Sequence, residues 1–186
     1  MKTVYYTASS LDGFIATEAD SIDWLMQFGG EDPNYAEFIA GIGAVTMGKS
    51  TYLWILNHHR ATKGDAPFEW VYEQPTWVFS STDLEKPVTG DVRFVRGDVR
   101  PVYEEMVRAA AGKDVWIVGG GDLVGQFHDH GLLDEIVVTF APVTLGSGKQ
   151  LLPRRITKPP MELVSVQQLG PYARLTLRVQ RAQATT

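Results

Sequence analysis

Short apolar segments alternate with amphipathic ones through about residue 140 of this chain, and this alternation restricts the fold more than any other feature. The segments TVYYTA, AVTM, TWVFSS, VRFV, DVWIV and EIVVTFAPV predict β-strands, because most are rich in β-branched and aromatic residues. The segments between them predict a helix from Asp32-Pro33 to near Gly41 or Gly43, one from Lys49 to Leu56, one that ends at Gly112 and one after the triple glycine 119–121. The polar stretch HHRATKGDAPFEWVYEQP after Leu56 predicts a long surface connection. Strands that alternate with helices build a mainly parallel sheet with helices on both faces. We therefore expect an α/β fold of three layers, α-β-α.

The last third of the chain has a different pattern. In RLTLRV the polar residues Arg174, Thr176 and Arg178 alternate with apolar ones, and LGPYA before it is typical of a turn. Together with MELVSVQQ this predicts a C-terminal antiparallel hairpin. The sheet is therefore predicted to be mixed, with its antiparallel strands at the C-terminal end.

Length and composition indicate one globular domain, which we place at residues 1–181, with a frayed tail at 182–186. A hydrophobic content of 44% without any apolar run of about 20 residues argues against a membrane span. The net charge of -5 argues against nucleic acid as a partner.

There is no cysteine and no long apolar signal core, so we expect a cytoplasmic location. His128 and His130 lack carboxylates at ligand spacing, and we assign no metal.

The segment GAVTMGKS, Gly43 to Ser50, matches the phosphate-loop motif of nucleotide triphosphatases. In that motif the four variable residues form the loop, but here Ala-Val-Thr-Met reads as a strand with Gly43 before it. Only Gly48 to Thr51 would lie at the strand's carboxyl end. They offer a close backbone approach, a lysine and two hydroxyls at a helix N-terminus, which suits an anion. A glycine turn with a solvated lysine is the alternative.

Two further clusters follow predicted strands. In VWIVGGGDLVGQF the amides of Gly119, Gly120 and Gly121 stand between a strand and a helix, where they can face a phosphate. Val124 stands where a dinucleotide fingerprint needs its third glycine, so that motif is incomplete. Phe79 is followed by the hydroxyls of Ser80 and Ser81. Open α/β sheets bind ligands at the carboxyl ends of their strands, which predicts one site for all three clusters.

The order SSLDGFIA, MGKSTY, VFSS, VGGGDLVGQF and LLDEIVVTFAPVTLGSG resembles the dihydrofolate reductase superfamily. It is most similar to the branch that contains the C-terminal reductase domain of riboflavin-biosynthesis proteins. The resemblance covers about residues 2 to 180. It implies an NADPH-dependent reductase acting on a small-molecule substrate, and a homodimer is compatible with that branch.

The resemblance also implies which residues contact NADPH. Those beside the nicotinamide are Ala8, Ile15 and Ala16. Those on the pyrophosphate and adenosine side are Gly48, Lys49, Ser50 and Thr51. The ribose 2′-phosphate is implied to contact Ser80 and Ser81, with Lys49. The pyrophosphate cradle is formed by Val118, Gly119, Gly120, Gly121, Asp122 and Leu123.

For the proton that accompanies hydride transfer, the candidate is Asp32. It precedes the Met-Gly motif by the same distance as the acidic residue of dihydrofolate reductases. Aspartate before proline is also an ordinary helix N-cap, so two roles stay open. Asp12 is a second carboxylate, although Asp-Gly is first a turn signal. The substrate side is predicted to include Asp12, Trp24, Tyr35, Phe38 and Ile55, of which the aromatic residues can equally belong to the core.

The chain departs from its relatives at two places. Asp122 stands where dihydrofolate reductases commonly have a basic residue, and no arginine after Leu56 clearly matches the one that grips folate. We therefore expect the substrate to be a pterin-like, pyrimidine-like or other small heterocyclic or carbonyl compound, 5-amino-6-(5-phosphoribosylamino)uracil among them. The alternatives are an NADPH-binding protein without turnover and, less favoured, a phosphate-loop hydrolase.

Overall fold

The computed structural model describes residues 1–29 and 32–181, and the predicted frayed tail lies outside them. The strands are β1 (Thr3–Ser10), β2 (Phe14–Ala16), β3 (Ile42–Gly48), β4 (Thr76–Phe79), β5 (Val92–Val95), β6 (Asp114–Gly119), β7 (Glu135–Ala141), β8 (Lys149–Gln150), β9 (Glu162–Leu169) and β10 (Tyr172–Arg178). The helices are α1 (Asp23–Met26), α2 (Tyr35–Ala40), α3 (Lys49–Lys63), α4 (Val99–Ala110) and α5 (Gly121–Asp129). None of these helices combines the length and the apolar character of a bilayer-spanning segment.

The chain divides into two compact units. The first consists of Met1 and the described residues 32–120, and its strands follow the order β5-β4-β3-β6 with parallel pairing throughout. Its core contains Trp77, Tyr52 and Met106, all fully buried. Apolar residues on α4 recur at helical spacing, and the helix starts where the Asp98 carboxylate accepts from the Arg100 N–H at 2.7 Å.

The second unit contains residues 2–29 and the described residues from 121 onwards, with the strand order β1-β7-β10-β9. β1 and β7 are parallel, whereas β10 runs antiparallel to both β7 and β9. β2 and β8 form a separate two-stranded sheet. The prediction of an α/β class with a mainly parallel, mixed sheet and a C-terminal antiparallel hairpin is confirmed.

The prediction for the segment after Leu56 was wrong, because α3 extends into it. The helix continues to Lys63 instead of ending at Leu56. His59 continues the buried stripe of the helix and packs against Phe68 with ring centroids 5.2 Å apart. Phe68 and Trp70 are buried too, so part of what was predicted as a surface connection contributes to the core.

Two boundaries around β3 were also predicted wrongly. Gly43 lies inside β3, not before it, and it packs so closely on α4 that a Cβ there would collide with the carbonyl of Ala110. The helix α2 begins at Tyr35 with Asn34 as its N-cap, not at Asp32. Of the two predicted ends, Gly41 and Gly43, the first is confirmed, because Gly41 is the C-cap.

Candidate functional site

Three neighbouring strands of the first unit end beside one another. The register pairs Gly48 of β3 with Phe79 of β4, and Met47 of β3 with Gly119 of β6. Because the three strands are parallel, the residues that follow them meet at the same edge of the sheet. The predicted residues brought together here are Gly48, Lys49, Ser50, Thr51, Ser80, Ser81, Val118, Gly119 and Gly120.

The helix α3 starts at this edge with its first turn uncapped. Gly48 is the N-cap residue in an extended conformation, and as a glycine it has no side chain with which to cap the helix. The first turn contains no acidic residue, and it carries Lys49, Ser50 and Thr51. The N-terminus of a 15-residue helix is electrically positive and presents free N–H groups. Its charge therefore suits an anion such as a phosphate.

The glycines at the ends of β3 and β6 stand close to neighbouring groups. A Cβ on Gly48 would lie 3.7 Å from the Gly120 nitrogen, and one on Gly119 would lie 3.2 Å from Thr51 Oγ1. The peptide bond between Gly119 and Gly120 is cis. The lack of side chains therefore leaves main-chain groups as the surface of this part of the edge.

The hydroxyls that follow β4 differ in availability. Ser80 is buried, and its Oγ donates to the Thr82 carbonyl at 2.6 Å and accepts from the Thr82 N–H at 3.1 Å. Ser81 is exposed. Because Ser80 stabilises its own turn, Ser81 has the hydroxyl that is better placed for a ligand.

Arg96 belongs to the same edge and was missed in the sequence. The Ser80 N–H donates to the Val95 carbonyl at 3.0 Å, so β5 ends next to the serines and Arg96 follows it. Its guanidinium is exposed and pairs with Asp83 at 2.6 Å. A basic residue directly after the predicted strand VRFV was the available signal.

In the second unit, the start of α5 is closely packed. A Cβ on Gly121 would collide with the Gln150 carbonyl and would lie 2.6 Å from the Leu151 carbonyl oxygen. Leu123 is buried, so only its main chain can reach a ligand. Close packing against residues 150 and 151 is therefore sufficient to explain why position 121 is a glycine.

Asp122 stands where dihydrofolate reductases commonly have a basic residue, and its negative charge is compensated by an arginine. Arg154 donates to Asp122 at 3.1 Å and to Asp129 at 2.8 Å. These hydrogen bonds, that to Asp129 first, raise the pKa of Arg154. Arg154 also covers Gly125, where any Cβ would meet the guanidinium. The acidic residue thus stands within an ion-pair network and is not an isolated negative charge.

Asp12, the predicted substrate-side carboxylate, holds a turn. It accepts from Ser10 Oγ at 2.6 Å and from the N–H groups of Gly146 at 2.7 Å and Leu145 at 3.1 Å. The hydrogen bond from Ser10, followed by those of Gly146 and Leu145, holds the pKa of Asp12 below its ordinary value. A cleft of about 570 Å³ opens beside it, lined also by Phe14 and Arg155. Asp12 thus borders the cleft while its carboxylate fixes the neighbouring loop.

The predicted nicotinamide neighbours lie in the second unit as well. Ala8 is half-buried near the carboxyl end of β1 and pairs with Thr139 of β7. Ile15 is half-buried and Ala16 is buried, both in β2. Their small or apolar side chains can contact a flat ring, and their role stays a prediction.

The carboxylate of Asp32 takes part in a turn. Its Oδ1 accepts at 3.0 Å from the N–H of Asn34, the residue directly before α2. This geometry fits an Asx-turn. The N-cap role predicted for Asp32 is wrong, because Asp32 lies two residues before the N-cap Asn34. The catalytic role stays a prediction.

The other predicted substrate-side residues have different surroundings. Tyr35 and Phe38 both pack edge-on against Trp116, with ring centroids 6.2 and 5.3 Å from it. Burial raises the pKa of Tyr35. Ile55 is buried in α3 and belongs to the core. Trp24 is half-buried, and its buried Nε1 has no hydrogen-bond partner among the residues that the structure describes.

The RibD C-terminal domain family matches the chain from residue 2 to residue 175. The chain belongs to this family. The resemblance stated from the motifs is thereby confirmed. Among similar proteins, the uncharacterized protein YwjB of Bacillus subtilis (strain 168) is 33% identical over 175 residues, which is 94% of this chain and 95% of YwjB.

Solved structures share the fold of this RibD-family chain. A putative riboflavin biosynthesis protein from Shewanella sp. PV-4 superimposes with a TM-score of 0.79 at 24% identity, over 97% of this chain and all of that one. Dihydrofolate reductase from Enterococcus faecalis, complexed with NADP(H), gives a TM-score of 0.61 at 16% identity, with 95% of both chains covered. At these identities the likeness establishes the dihydrofolate reductase-like fold alone.

Proposed function

We propose that this RibD-family protein is an NADPH-dependent reductase of a small heterocyclic or carbonyl compound. The observation that carries the proposal is the edge formed by β4, β3 and β6 in the first unit. There the uncapped N-terminus of α3, the bare backbone of Gly119 and Gly120, and the side chains of Lys49, Ser81 and Arg96 provide donors and positive charge without an acidic residue in the first turn of α3. This chemistry fits a dinucleotide that carries an additional phosphate.

Bound NADPH would supply the hydride, and the protein would supply binding, orientation and a proton. The main chain at Gly48, Gly119 and Gly120 would hold the pyrophosphate by N–H donation. Ala8 and Ile15 would limit where the nicotinamide ring can lie. Asp32 would donate the proton to the substrate.

The substrate class comes from the relatives. A Thermotoga maritima structure named diaminohydroxyphosphoribosylaminopyrimidine deaminase/5-amino-6-(5-phosphoribosylamino)uracil reductase superimposes with a TM-score of 0.62 at 16% identity. This chain covers 56% of it. We propose a pterin-like or pyrimidine-like substrate, of the 5-amino-6-(5-phosphoribosylamino)uracil type, in riboflavin biosynthesis or a related pathway.

NADPH is expected to raise the melting temperature of the purified protein, because a ligand that binds only the folded state stabilises it by mass action. At a hundredfold excess over Kd the gain is about 2.7 kcal/mol, which for a chain of this size is roughly 5–10 °C. Differential scanning fluorimetry with NADPH, NADH and Mg-ATP in parallel makes the comparison. A shift with Mg-ATP alone would refute the reductase and favour the hydrolase.

The basic and hydroxyl side chains after the strands are expected to discriminate NADPH from NADH. Lys49→Ala, Ser81→Ala and Arg96→Ala should each weaken NADPH by about tenfold and NADH much less, since a charge-assisted hydrogen bond to the 2′-phosphate is lost. Titration of both cofactors by fluorescence measures the ratio. Arg108→Ala, which removes an exposed charge from the last turn of α4, is the matched control. Equal losses of affinity for NADPH and NADH would show that these side chains do not contact the 2′-phosphate.

One observation favours a second function, NADPH binding without catalysis. The Asp32 carboxylate already accepts the Asn34 N–H, so it can serve its turn without taking part in chemistry. The protein would then bind NADPH without turnover. Cofactor that binds and is oxidised by no compound of a pterin and pyrimidine panel would support this alternative.

The hydrolase is the least favoured function. The four variable residues of its motif, Ala44 to Met47, lie within β3 and cannot form a loop around phosphates.

The homodimer, the single-domain organisation and the cytoplasmic location stay predictions. Exposed apolar side chains on β9, Leu163 and Val166, support a homodimer because a second copy could cover them.

A further inference from the structure

The cleft of about 570 Å³ beside Asp12 is formed by residues of the second unit. One side consists of Gly13 and Phe14, where β2 starts, and the other of the segment 150–155, which begins at the end of β8. The volume falls within the range of about 300–1,000 Å³ that is typical of small-molecule sites. The described lining includes none of the residues that form the proposed cofactor edge of the first unit, so that edge gives the cleft no role.

The two sides of the cleft are held in place by hydrogen bonds and close packing. The Leu151 N–H donates to the Gly13 carbonyl at 2.9 Å, and the Phe14 N–H donates to Ser10 Oγ at 3.0 Å. Gly121 packs behind Leu151 so closely that a Cβ there would lie 2.6 Å from the Leu151 carbonyl oxygen. Because the walls are already ordered, a ligand would bind here without the entropic cost of ordering them.

Most charged groups at the cleft already have partners in the protein. The Asp12 carboxylate accepts hydrogen bonds from one hydroxyl and two main-chain N–H groups. The Arg154 guanidinium donates to Asp122 and Asp129. Arg155 is exposed, and no carboxylate pairs with it among the residues that the structure describes. Arg155 is therefore the charged group of the cleft that is available to a ligand, and it is positive.

Much of the remaining lining is apolar. Phe14, Leu151 and Leu152 are half-buried, so part of each side chain stays accessible, and Pro153 is exposed. Covering apolar surface is favourable by about 25 cal/mol for each Å². An aromatic ring is rigid, so it covers such a wall with little loss of conformational freedom. The cleft thus combines an apolar wall with one available guanidinium.

We propose that this cleft binds a small aromatic carboxylate, whose ring contacts Phe14 and Leu152 and whose carboxylate pairs with Arg155. A guanidinium donates hydrogen bonds, cannot accept them, and matches a carboxylate with two parallel N–H groups. The inference goes beyond the proposed function, because it assigns a second ligand to the chain and requires neither NADPH nor turnover.

The test compares 2-naphthoate with 2-naphthamide, which has the same rings without the negative charge. Isothermal titration of the full chain is expected to show that 2-naphthoate binds at least fivefold more tightly, because a hydrogen bond between two charged groups is stronger than one to a neutral amide. Arg155→Gln should bring the two affinities to similar values. Arg155→Lys keeps the charge and should retain part of the preference. Phe14→Leu, which removes the aromatic ring, should weaken both probes severalfold.

Arg178→Gln is the matched control, because Arg178 is also an exposed arginine of the second unit but lies on β10 and pairs with Glu162. It should leave both affinities unchanged. A preference for 2-naphthoate that survives Arg155→Gln shows that the probe binds elsewhere and overturns the inference. Equal affinities of the wild-type protein for the two probes, or binding of neither, also overturn it.

The same titration with saturating NADP⁺ separates this inference from the proposed function. Unchanged binding of 2-naphthoate supports a second site, whereas loss of binding shows that the probe occupies the cofactor site and overturns the inference. Wild-type protein that binds 2-naphthoate through Arg155 and does not bind NADPH refutes the reductase alone. Protein that binds NADPH and shows no preference dependent on Arg155 refutes only the inference about the cleft.

Discussion

Gly121→Ala is expected to lower the free energy of unfolding by about 3 kcal/mol or more, one of the largest effects of a single methyl group in this chain. The added Cβ would collide with the Gln150 carbonyl and would lie 2.6 Å from the Leu151 oxygen and 2.9 Å from the Leu151 carbonyl carbon. These are main-chain atoms, so no side-chain rotation can relieve the contact. Either α5 or the 150–151 segment must move.

Urea unfolding monitored by tryptophan fluorescence measures the loss, and the melting temperature should fall by about 6–12 °C. Gly41→Ala is the control, since Gly41 has a φ of -81° and its added Cβ would meet only the Phe38 carbonyl oxygen at 3.4 Å. It should change stability by less than about 1 kcal/mol. A Gly121 variant as stable as the Gly41 variant would show that the 150–151 segment yields easily.

Most of the strands and the fold class were predictable because their signal is local. The runs VRFV and EIVVTFAPV contain β-branched residues bounded by turn residues, and both form strands, β5 and β7. The alternation in RLTLRV correctly predicts β10, because a half-buried strand repeats every two residues. These features depend on neighbours in the chain and need no knowledge of distant contacts.

The errors occurred where a distant contact decides. His59 was counted as polar, yet it is buried against Phe68 and extends α3 by two turns beyond Leu56. Gly43 lies within β3 where Ala110 of α4 leaves no room for a side chain, and nothing next to Gly43 in the sequence indicates that contact. Tertiary packing overrides local preference at both positions.

The candidate site was predictable to the same extent. Residues that directly follow strands, such as Gly48, Ser81 and Gly119, were found because parallel strands bring their carboxyl ends together. Arg154 was not found, because ion pairs with Asp122 and Asp129 place it. Pairing across such distances in the chain has no local signature.

Asp32→Asn is expected to lower kcat by about 10²- to 10³-fold with little change in the Kd for NADPH, if Asp32 supplies the proton. An amide cannot donate a carboxylic proton. In the wild-type protein the Asn34 N–H donates to Asp32 Oδ1 at 3.0 Å. The asparagine side chain keeps an Oδ1 that can accept this hydrogen bond, so the turn before α2 should persist. The substitution therefore separates proton donation from the local structural role. Stopped-flow oxidation of NADPH with a pterin or pyrimidine that the wild-type protein reduces measures the rate.

Glu37→Gln is the matched control for this variant, because Glu37 is an exposed acidic residue in the first turn of α2 and loses the same charge. It should keep wild-type kcat. The pH profile adds a second readout: general-acid catalysis by Asp32 predicts that kcat falls as the pH rises through the pKa of that carboxyl, and that Asp32→Asn loses this dependence. Full turnover in Asp32→Asn would assign Asp32 to its turn alone, and the proton would then have to come from solvent or from another group.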